Sequence, residues 1–264
     1  MNYFAVRTFD HTGFHESRLL LLSLVLLVSL YFLLTRRDYR YLALFFSGAF
    51  FQAIIEMAYT YMGFRAPTFS LTVFGAKLAD YEAAIFQGAT QGPVFSIFGL
   101  WFVDLCVNEP RRRQTKEAFL LICLAVLITS GAVAMMAKGR AVTSVRPLFG
   151  AHAVGLTMIC MAVAAELGLL KENGRRLTFI FYCGLVLFSI LHFAPMYLMG
   201  TRFFMGENAA PPPMAPHIVV GLWAHLVDFA AGKVHFFAVP LALGLAEMKR
   251  RRPGEDEQHF AVAV

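Results

Sequence analysis

The sequence predicts an integral membrane protein made of seven transmembrane helices. The chain has 264 residues, of which 58% are hydrophobic and only 15% are charged, and its mean hydropathy is +0.62. A soluble domain of this size carries more charge on its surface. Apolar runs long enough to cross a hydrocarbon core of roughly 30 Å recur at about 17–35, 41–63, 83–106, 118–137, 148–170, 177–199 and 218–247.

The distribution of basic residues predicts the orientation of these spans. Fourteen Lys and Arg residues follow the first, third, fifth and seventh runs, whereas eight lie in the segments on the opposite side. By the positive-inside rule, the N-terminus is outside and the C-terminus is cytoplasmic. The net charge of +6 is explained by this asymmetry and by contact with anionic lipid head groups. It therefore does not indicate a nucleic-acid partner.

The chain is predicted to form one membrane domain, 1–252, followed by a disordered tail, 253–264. The first apolar run is interpreted as a retained helix, because no small-residue cleavage site follows it. The proline-rich segment 200–217 cannot be helical throughout and is interpreted as a connector, with a lid as the alternative. Four cysteines are scattered singly along the runs, a pattern that suggests neither a disulfide framework nor a metal site.

Two short segments suggest an internal repeat. "YMGFR" (61–65) ends the second span and "LMGTR" (198–202) ends the sixth. A chain built as three helices, a connecting helix and three more would place them at equivalent positions, and such parallel repeats place binding sites at their interface. Chance recurrence of five residues is the alternative.

Several polar side chains lie at one depth in the predicted membrane. An ionisable group there costs about 2.5–3.5 kcal/mol on insertion scales, so its presence suggests function. At a rise of ~1.5 Å per residue, one layer roughly 6–15 Å below the outer interface contains Glu56, Gln87, Gln91, His192, His225 and Asp228.

Helical periodicity places these side chains on common faces. Gln52, Glu56 and Tyr59 are spaced by four and three, so they share one stripe of the second span. His225 and Asp228 share a face of the seventh span, whereas Lys233 lies about 140° from Asp228 at 100° per residue. We therefore expect a polar cavity in the outer half of the bundle, lined by the second, third, sixth and seventh spans.

A structural interpretation applies to some of these residues. Buried polar groups also connect membrane helices through hydrogen bonds of about 0.6 kcal/mol. This interpretation is at least as strong as a functional one for Gln87, Gln91 and His192, each taken singly, and it is the better one for His152 and His235. Asp104 and Glu166, near inner helix ends, are expected to face the cytoplasm. Glu82, at the outer edge of the third span, belongs either to the interface or to the site.

The predicted cavity suits acid–base chemistry on a hydrocarbon. An apolar environment disfavours the charged form of a carboxyl group, so one of two carboxyls can act as an acid while the other accepts a proton. The chain also has 27 Phe and 9 Tyr, and aromatic faces stabilise cations by up to ~2 kcal/mol when desolvated. We expect protonation of a carbon–carbon double bond in a sterol or another isoprenoid, without a metal or a cofactor.

The segments "QAIIEMAYTYMGF" (52–64), "YEAAIFQGATQGPVFSIFGLW" (81–101) and "KVHFFAVP" (233–240) resemble the EXPERA superfamily, which includes the emopamil-binding sterol isomerases. This resemblance implies that Glu56 and Glu82 correspond to the two acidic residues of the isomerases and Lys233 to their active-site Asn. Gln52 stands where the isomerases have His. The chain is also similar to seven-helix membrane terpene cyclases, and this second resemblance implies that Glu56 and Asp228 are the catalytic pair.

Other classes of protein remain open at this point. A solute or proton-coupled transporter would use the same carboxylates to carry protons. A retinal-binding rhodopsin would use Lys233 to form a Schiff base, but Asp228 faces elsewhere and the third span offers glutamines at mid-depth. Haem ligation by His192 and His225 is a weaker alternative.

Overall fold

The computed structural model describes residues 3–7, 14–63, 70–107, 112–137, 144–206 and 214–246. The predicted tail, 253–264, lies outside these residues. Most of the described chain is helical: α1 is Phe14–Arg36, α2 Arg40–Tyr61, α3 Asp80–Val107, α4 Arg112–Ala137, α5 Ala151–Leu167, α6 Gly174–Leu198, α7 Met214–Leu222 and α8 His235–Ala242.

Six of the predicted spans are long and apolar enough to cross a membrane. They are His15–Arg36, Arg40–Tyr61, Asp80–Val107, Phe119–Met136, Gly174–Leu198 and His217–Ala242. The fifth predicted span is shorter than expected, because α5 has 17 residues and thus a length of only ~25 Å. Length and composition therefore support a multi-pass helical membrane protein.

Five short strands cap one end of the bundle, which corrects the prediction of an all-α protein. β1 (Tyr3–Arg7) is the central strand of an antiparallel sheet with β4 (Ser144–Pro147) and β5 (Arg202–Gly206). A hairpin, β2 (Ser70–Val73) and β3 (Ala76–Ala79), joins α2 to α3. Residues 202–206 of the predicted 200–217 connector are thus a paired strand, and α7 begins before this segment ends.

Helix termination explains the recurring Met-Gly of the two repeat segments. Gly63 and Gly200 have φ angles of 70° and 69°, a left-handed conformation that glycine adopts without steric cost. Each follows a helix whose last carbonyls accept hydrogen bonds from the backbone N–H groups of the Met-Gly pair. This arrangement is a common way to end a helix, so local structure accounts for the Met-Gly similarity.

The last span is not one regular α-helix. Between α7 and α8 the backbone forms a π-helix, Trp223–Ala230, and then a 3₁₀ turn, Ala231–Lys233. We call the whole stretch from α7 to α8 the last span. A π-helix forms i→i+5 hydrogen bonds, so the angular positions expected for His225, Asp228 and Lys233 on a regular helix do not apply. Irregular turns of this kind are frequent at functional sites.

A buried ion pair joins α2 to α3 at the end opposite the strands. Both guanidinium Nη atoms of Arg40 donate to the Asp104 carboxylate, at 3.0 and 3.2 Å, and the Tyr41 hydroxyl donates to it at 2.6 Å. Arg40 also binds Asp38. The prediction that Asp104 faces the cytoplasm was therefore wrong: only 4% of it is exposed. Glu166 is exposed as expected.

Candidate functional site

The predicted stripe on α2 is buried. Gln52, Glu56 and Tyr59 are 3%, 4% and 8% exposed. The Gln52 side-chain amide donates a hydrogen bond of 2.9 Å from Nε2 to Oε1 of Glu56. This bond joins successive turns of one helix, so the Gln52 side chain fixes the orientation of the Glu56 carboxyl group.

Small residues bring α3 against this stripe. A Cβ atom on Gly92 would collide with the backbone carbonyl of Gly48 and lie 2.8 Å from Cβ of Gln52. One turn away, a Cβ atom on Gly88 would collide with the backbone of Ala53. Close backbone approach through glycine is typical of helix pairs in membranes. The polar stripe therefore lies beside the tight α2–α3 contact.

Buried amide groups near this contact have polar atoms without protein partners. Within the described part of the chain, this applies to Oε1 of Gln52, Oε1 of Gln87 and Nε2 of Gln91. Buried polar atoms are normally satisfied by protein, water or ligand. These atoms are thus unsatisfied polar groups of the α2–α3 region. Glu82, by contrast, is exposed in the first turn of α3 and does not share the burial of these residues.

The two predicted histidines are held by serines of neighbouring helices. Nδ1 of His192 shares a hydrogen bond of 2.7 Å with Oγ of Ser130, which connects α6 to α4. Nδ1 of His225 shares one of 2.6 Å with Oγ of Ser189, which connects the π-helix to α6. These bonds give Nδ1 of each ring a partner and hold both rings in place. A role in connecting helices therefore accounts for Nδ1 of each histidine and leaves Nε2 of each ring for other contacts.

Asp228 and Lys233 are both buried in the irregular part of the last span, at 8% and 9% exposure. The Lys233 ammonium donates to the backbone carbonyl of Phe229 at 2.9 Å. It also lies 4.2 Å from the ring centre of Phe229 and 5.8 Å from that of Phe95. Contacts with ring faces stabilise a positive charge that is shielded from water.

Phe229 belongs to an aromatic cluster made of Phe95, Phe188, Phe193 and Phe229. The ring centres of Phe95 and Phe229 are 5.0 Å apart, and those of Phe193 and Phe229 are 5.4 Å apart. Both pairs have edge-to-face geometry, which aromatic rings prefer. Phe188 contacts Phe95 at 5.1 Å. The cluster joins α3 and α6 to the π-helix that carries Asp228.

The second and last spans also pack against each other. The Ser47 hydroxyl donates to the backbone carbonyl of Phe236 at 2.8 Å, and the rings of Phe51 and His235 are 5.0 Å apart. Nδ1 of His235 has no hydrogen-bond partner among the described residues, so its observed contacts are with rings. The prediction for His152 concerns a side chain outside the described set.

A groove of about 370 Å³ lies between α6 and α7. We call it the α6–α7 groove. Its apolar walls come from α6, β5, α7 and the π-helix, and its polar side chains are Tyr197, His217 and His225. Ile190, Ile218 and Leu222 line it and are more than half exposed. The groove therefore opens on the surface that faces lipid in a membrane-spanning bundle.

The sequence prediction missed Arg202, which lies beside this groove. Its guanidinium lies 4.0 Å from the ring centre of Phe193, and its Nε donates to the Tyr197 hydroxyl at 3.1 Å. The position of Arg202 just after α6 made it look like an ordinary connector residue. The position of Arg202 follows from the pairing of β5 with β1. A sequence pattern of five residues does not reveal such pairing.

Comparisons with protein-family models, with curated proteins and with solved structures give no match. The resemblance to EXPERA proteins and to membrane terpene cyclases therefore stays a prediction. The site must be argued from its own geometry.

Lys233 is not expected to anchor a retinal chromophore. A Schiff base forms from an amine that can reach an aldehyde, whereas Nζ of Lys233 donates to a backbone carbonyl and lies on two ring faces. Borohydride reduction in the presence of retinal, followed by peptide mapping, should yield no adduct on Lys233. A reduced adduct there would reverse this conclusion.

Proposed function

We propose that the protein is an integral membrane enzyme that protonates a carbon–carbon double bond of a sterol or another isoprenoid. The observation that carries this proposal is the buried Glu56 carboxyl, oriented by Gln52 at 2.9 Å. A carboxyl group that is held in one orientation away from water is suited to general acid catalysis. A structural role in holding helices together does not require this orientation.

Glu56 is the acid in this mechanism. Its Oε1 accepts the hydrogen bond from Gln52, and the carboxyl group supplies the transferable proton. The π electrons of the substrate take this proton, a C–H bond forms, and a tertiary carbocation remains beside the Glu56 carboxylate. Attack by a second double bond gives a ring, or loss of a neighbouring proton moves the double bond. Neither outcome needs an oxidant or a reductant.

Asp228 is the partner of Glu56 and accepts the proton that leaves the cation. It is buried on the π-helix, next to Phe229 of the aromatic cluster. The rings of this cluster stabilise the cation between the two proton transfers.

The remaining predicted residues bind substrate in this proposal. The amide groups of Gln52, Gln87 and Gln91 line the cavity beside Glu56, and Tyr59, His192, His225 and Lys233 complete its walls. Glu82 is assigned a place at the outer entrance, since it is exposed in the first turn of α3. Glu56 lies in the first half of the chain and the last span lies in the second half. A site between the two halves of the predicted 3+1+3 repeat would have this composition.

The proposed orientation places the N-terminus and the strand cap outside. Reporter fusions at Arg252 and within 200–217 should then report opposite sides of the membrane, because Lys and Arg are concentrated in the connections of the other end. Reports from the same side would contradict the orientation and the common depth of the polar residues.

Deuterium incorporation tests the proposed reaction directly. Lipid extraction from the purified protein, followed by mass spectrometry, identifies bound isoprenoids. Incubation of such a compound with the protein in D₂O should then give a cyclised or isomerised product with one deuterium, on the carbon that Glu56 protonates. Glu56→Gln protein should leave the compound unlabelled. A product formed without deuterium would contradict protonation as the first step.

Transport is the second candidate, and the broken last span favours it. Interrupted helices near the middle of the membrane form ion and substrate sites in several transporters, and Asp228 and Lys233 both lie in the interruption. Proteoliposomes distinguish the candidates: a transporter moves a polar solute or protons across the bilayer, whereas an isoprenoid-converting enzyme changes the chemistry of a lipid and leaves the pH gradient intact.

A further inference from the structure

We propose that the α6–α7 groove binds the prenyl chain of a substrate whose phosphate-type head group is bound by Arg202. This inference rests on the proposed function and narrows its substrate to an isoprenoid with an anionic phosphate or diphosphate end.

The groove suits a single hydrocarbon chain that enters from the membrane. Its lining is almost entirely apolar, and the exposed side chains of Ile190, Ile218 and Leu222 flank its opening. Its volume of about 370 Å³ is at the lower end of the ~300–1,000 Å³ range of small-molecule sites. One branched chain fits this volume better than the two chains of a phospholipid.

Arg202 supplies a cation at the polar wall of this groove. Tyr197 lines the groove and also accepts the hydrogen bond from Nε of Arg202. Phe204 lines the groove from the same strand, two residues after Arg202, and residues two apart in a strand face the same side. The guanidinium is thus fixed by Tyr197 and by the ring of Phe193 at 4.0 Å.

No carboxylate within the described part of the chain contacts Arg202. Among the described residues, its contacts are the Tyr197 hydroxyl and the rings of Phe193 and Tyr197. Because Nε is occupied, the Nη atoms are the donors that remain, and they match the paired oxygens of a phosphate.

The groove leads toward the proposed catalytic residues. His225 lines it and lies three residues before Asp228 on the same π-helix. Its Nδ1 is held by Ser189 at 2.6 Å. A prenyl chain bound at its head by Arg202 would therefore lie along the helix that carries Asp228.

The test measures binding of radiolabelled farnesyl diphosphate to the full chain in phosphatidylcholine nanodiscs. Wild-type protein should bind it at least ~10-fold more tightly than farnesol, as expected for hydrogen bonds to a charged group. Arg202→Gln should lose this preference. Arg202→Lys should retain part of it, because Lys keeps the positive charge but lacks the paired N–H donors of the guanidinium group. Arg176→Gln, the same change at an exposed position of α6, should bind like wild type.

A second variant tests whether the α6–α7 groove binds the prenyl chain, and it leaves the charge of Arg202 unchanged. Gly221 lines the groove, and a Cβ atom there would meet only the Phe204 ring, at 3.7 Å. Gly221→Leu should therefore fold, as size-exclusion chromatography can verify, but fill the groove and weaken farnesyl diphosphate binding by about 10-fold. Binding like wild type would show that the chain lies elsewhere and would overturn the proposal.

Three other outcomes would also overturn it. Farnesol could bind as tightly as the diphosphate, or Arg202→Gln could bind like Arg176→Gln. Phosphatidylglycerol nanodiscs could abolish binding to wild type, in which case the head-group site belongs to a bilayer lipid. The proposed function is tested separately, because Glu56→Gln should bind farnesyl diphosphate normally while losing deuterium incorporation. If binding depended on Arg202 but the protein gave no turnover, the proposed reaction would be rejected and the proposed binding site would stand.

Discussion

Replacement of Glu56 by Gln is expected to lower turnover by at least ~100-fold, the lower range for loss of acid–base assistance. Gln keeps the size of the side chain and its ability to form hydrogen bonds, but it has no acidic proton to transfer. Gln52 can still contact the new side chain at position 56, so expression and thermal stability should change little. The rate of deuterium incorporation from D₂O is the measurement.

Glu166→Gln is the matched control for this prediction. Glu166 is an exposed residue of α5, so the same chemical change there should leave turnover unaffected. Asp228→Asn should behave like Glu56→Gln, because Asp228 is assigned the second proton transfer. If Glu56→Gln turned over at the wild-type rate, the carboxyl would be a structural group and Glu56 would leave the mechanism.

Replacement of Gly92 by Ala is expected to destabilise the protein by about 1–3 kcal/mol, the usual cost of overpacking. The added methyl group would collide with the backbone carbonyl of Gly48 and press on Cβ of Gln52. Neither neighbour can rotate away, because one is backbone and the other is the root of its side chain. Thermal unfolding in detergent, followed by fluorescence-detected size-exclusion chromatography, measures the shift.

Two other helical glycines provide controls for Gly92→Ala. A Cβ atom on Gly131 or on Gly155 meets no heavy atom within 4 Å, so Ala at either position should be neutral or stabilise the helix by up to ~1 kcal/mol. Gly92→Ala should also reduce turnover, because displacement of Gln52 disturbs the hydrogen bond to Glu56. Unchanged stability would contradict the tight α2–α3 contact.

The sequence by itself determined the features that depend on local pattern. The six long spans lie close to the predicted ranges, because hydropathy and length act on each segment separately. The spacing of Gln52, Glu56 and Tyr59 predicted one face of α2, and all three are buried. Both results follow from helical periodicity, which needs no knowledge of the partner helix.

The tertiary structure decided the features that depend on distant partners. β1 pairs with strands that begin at Ser144 and Arg202, and such pairing leaves no signal in a short window of sequence. Asp104 looked like a cytoplasmic residue because its partner, Arg40, is 64 positions away. The π-helix in the last span packs against α5 and α6 and replaces the regular winding assumed from sequence. Long-range contacts also place His225 against the ring of Tyr197, whose hydroxyl accepts a hydrogen bond from Arg202.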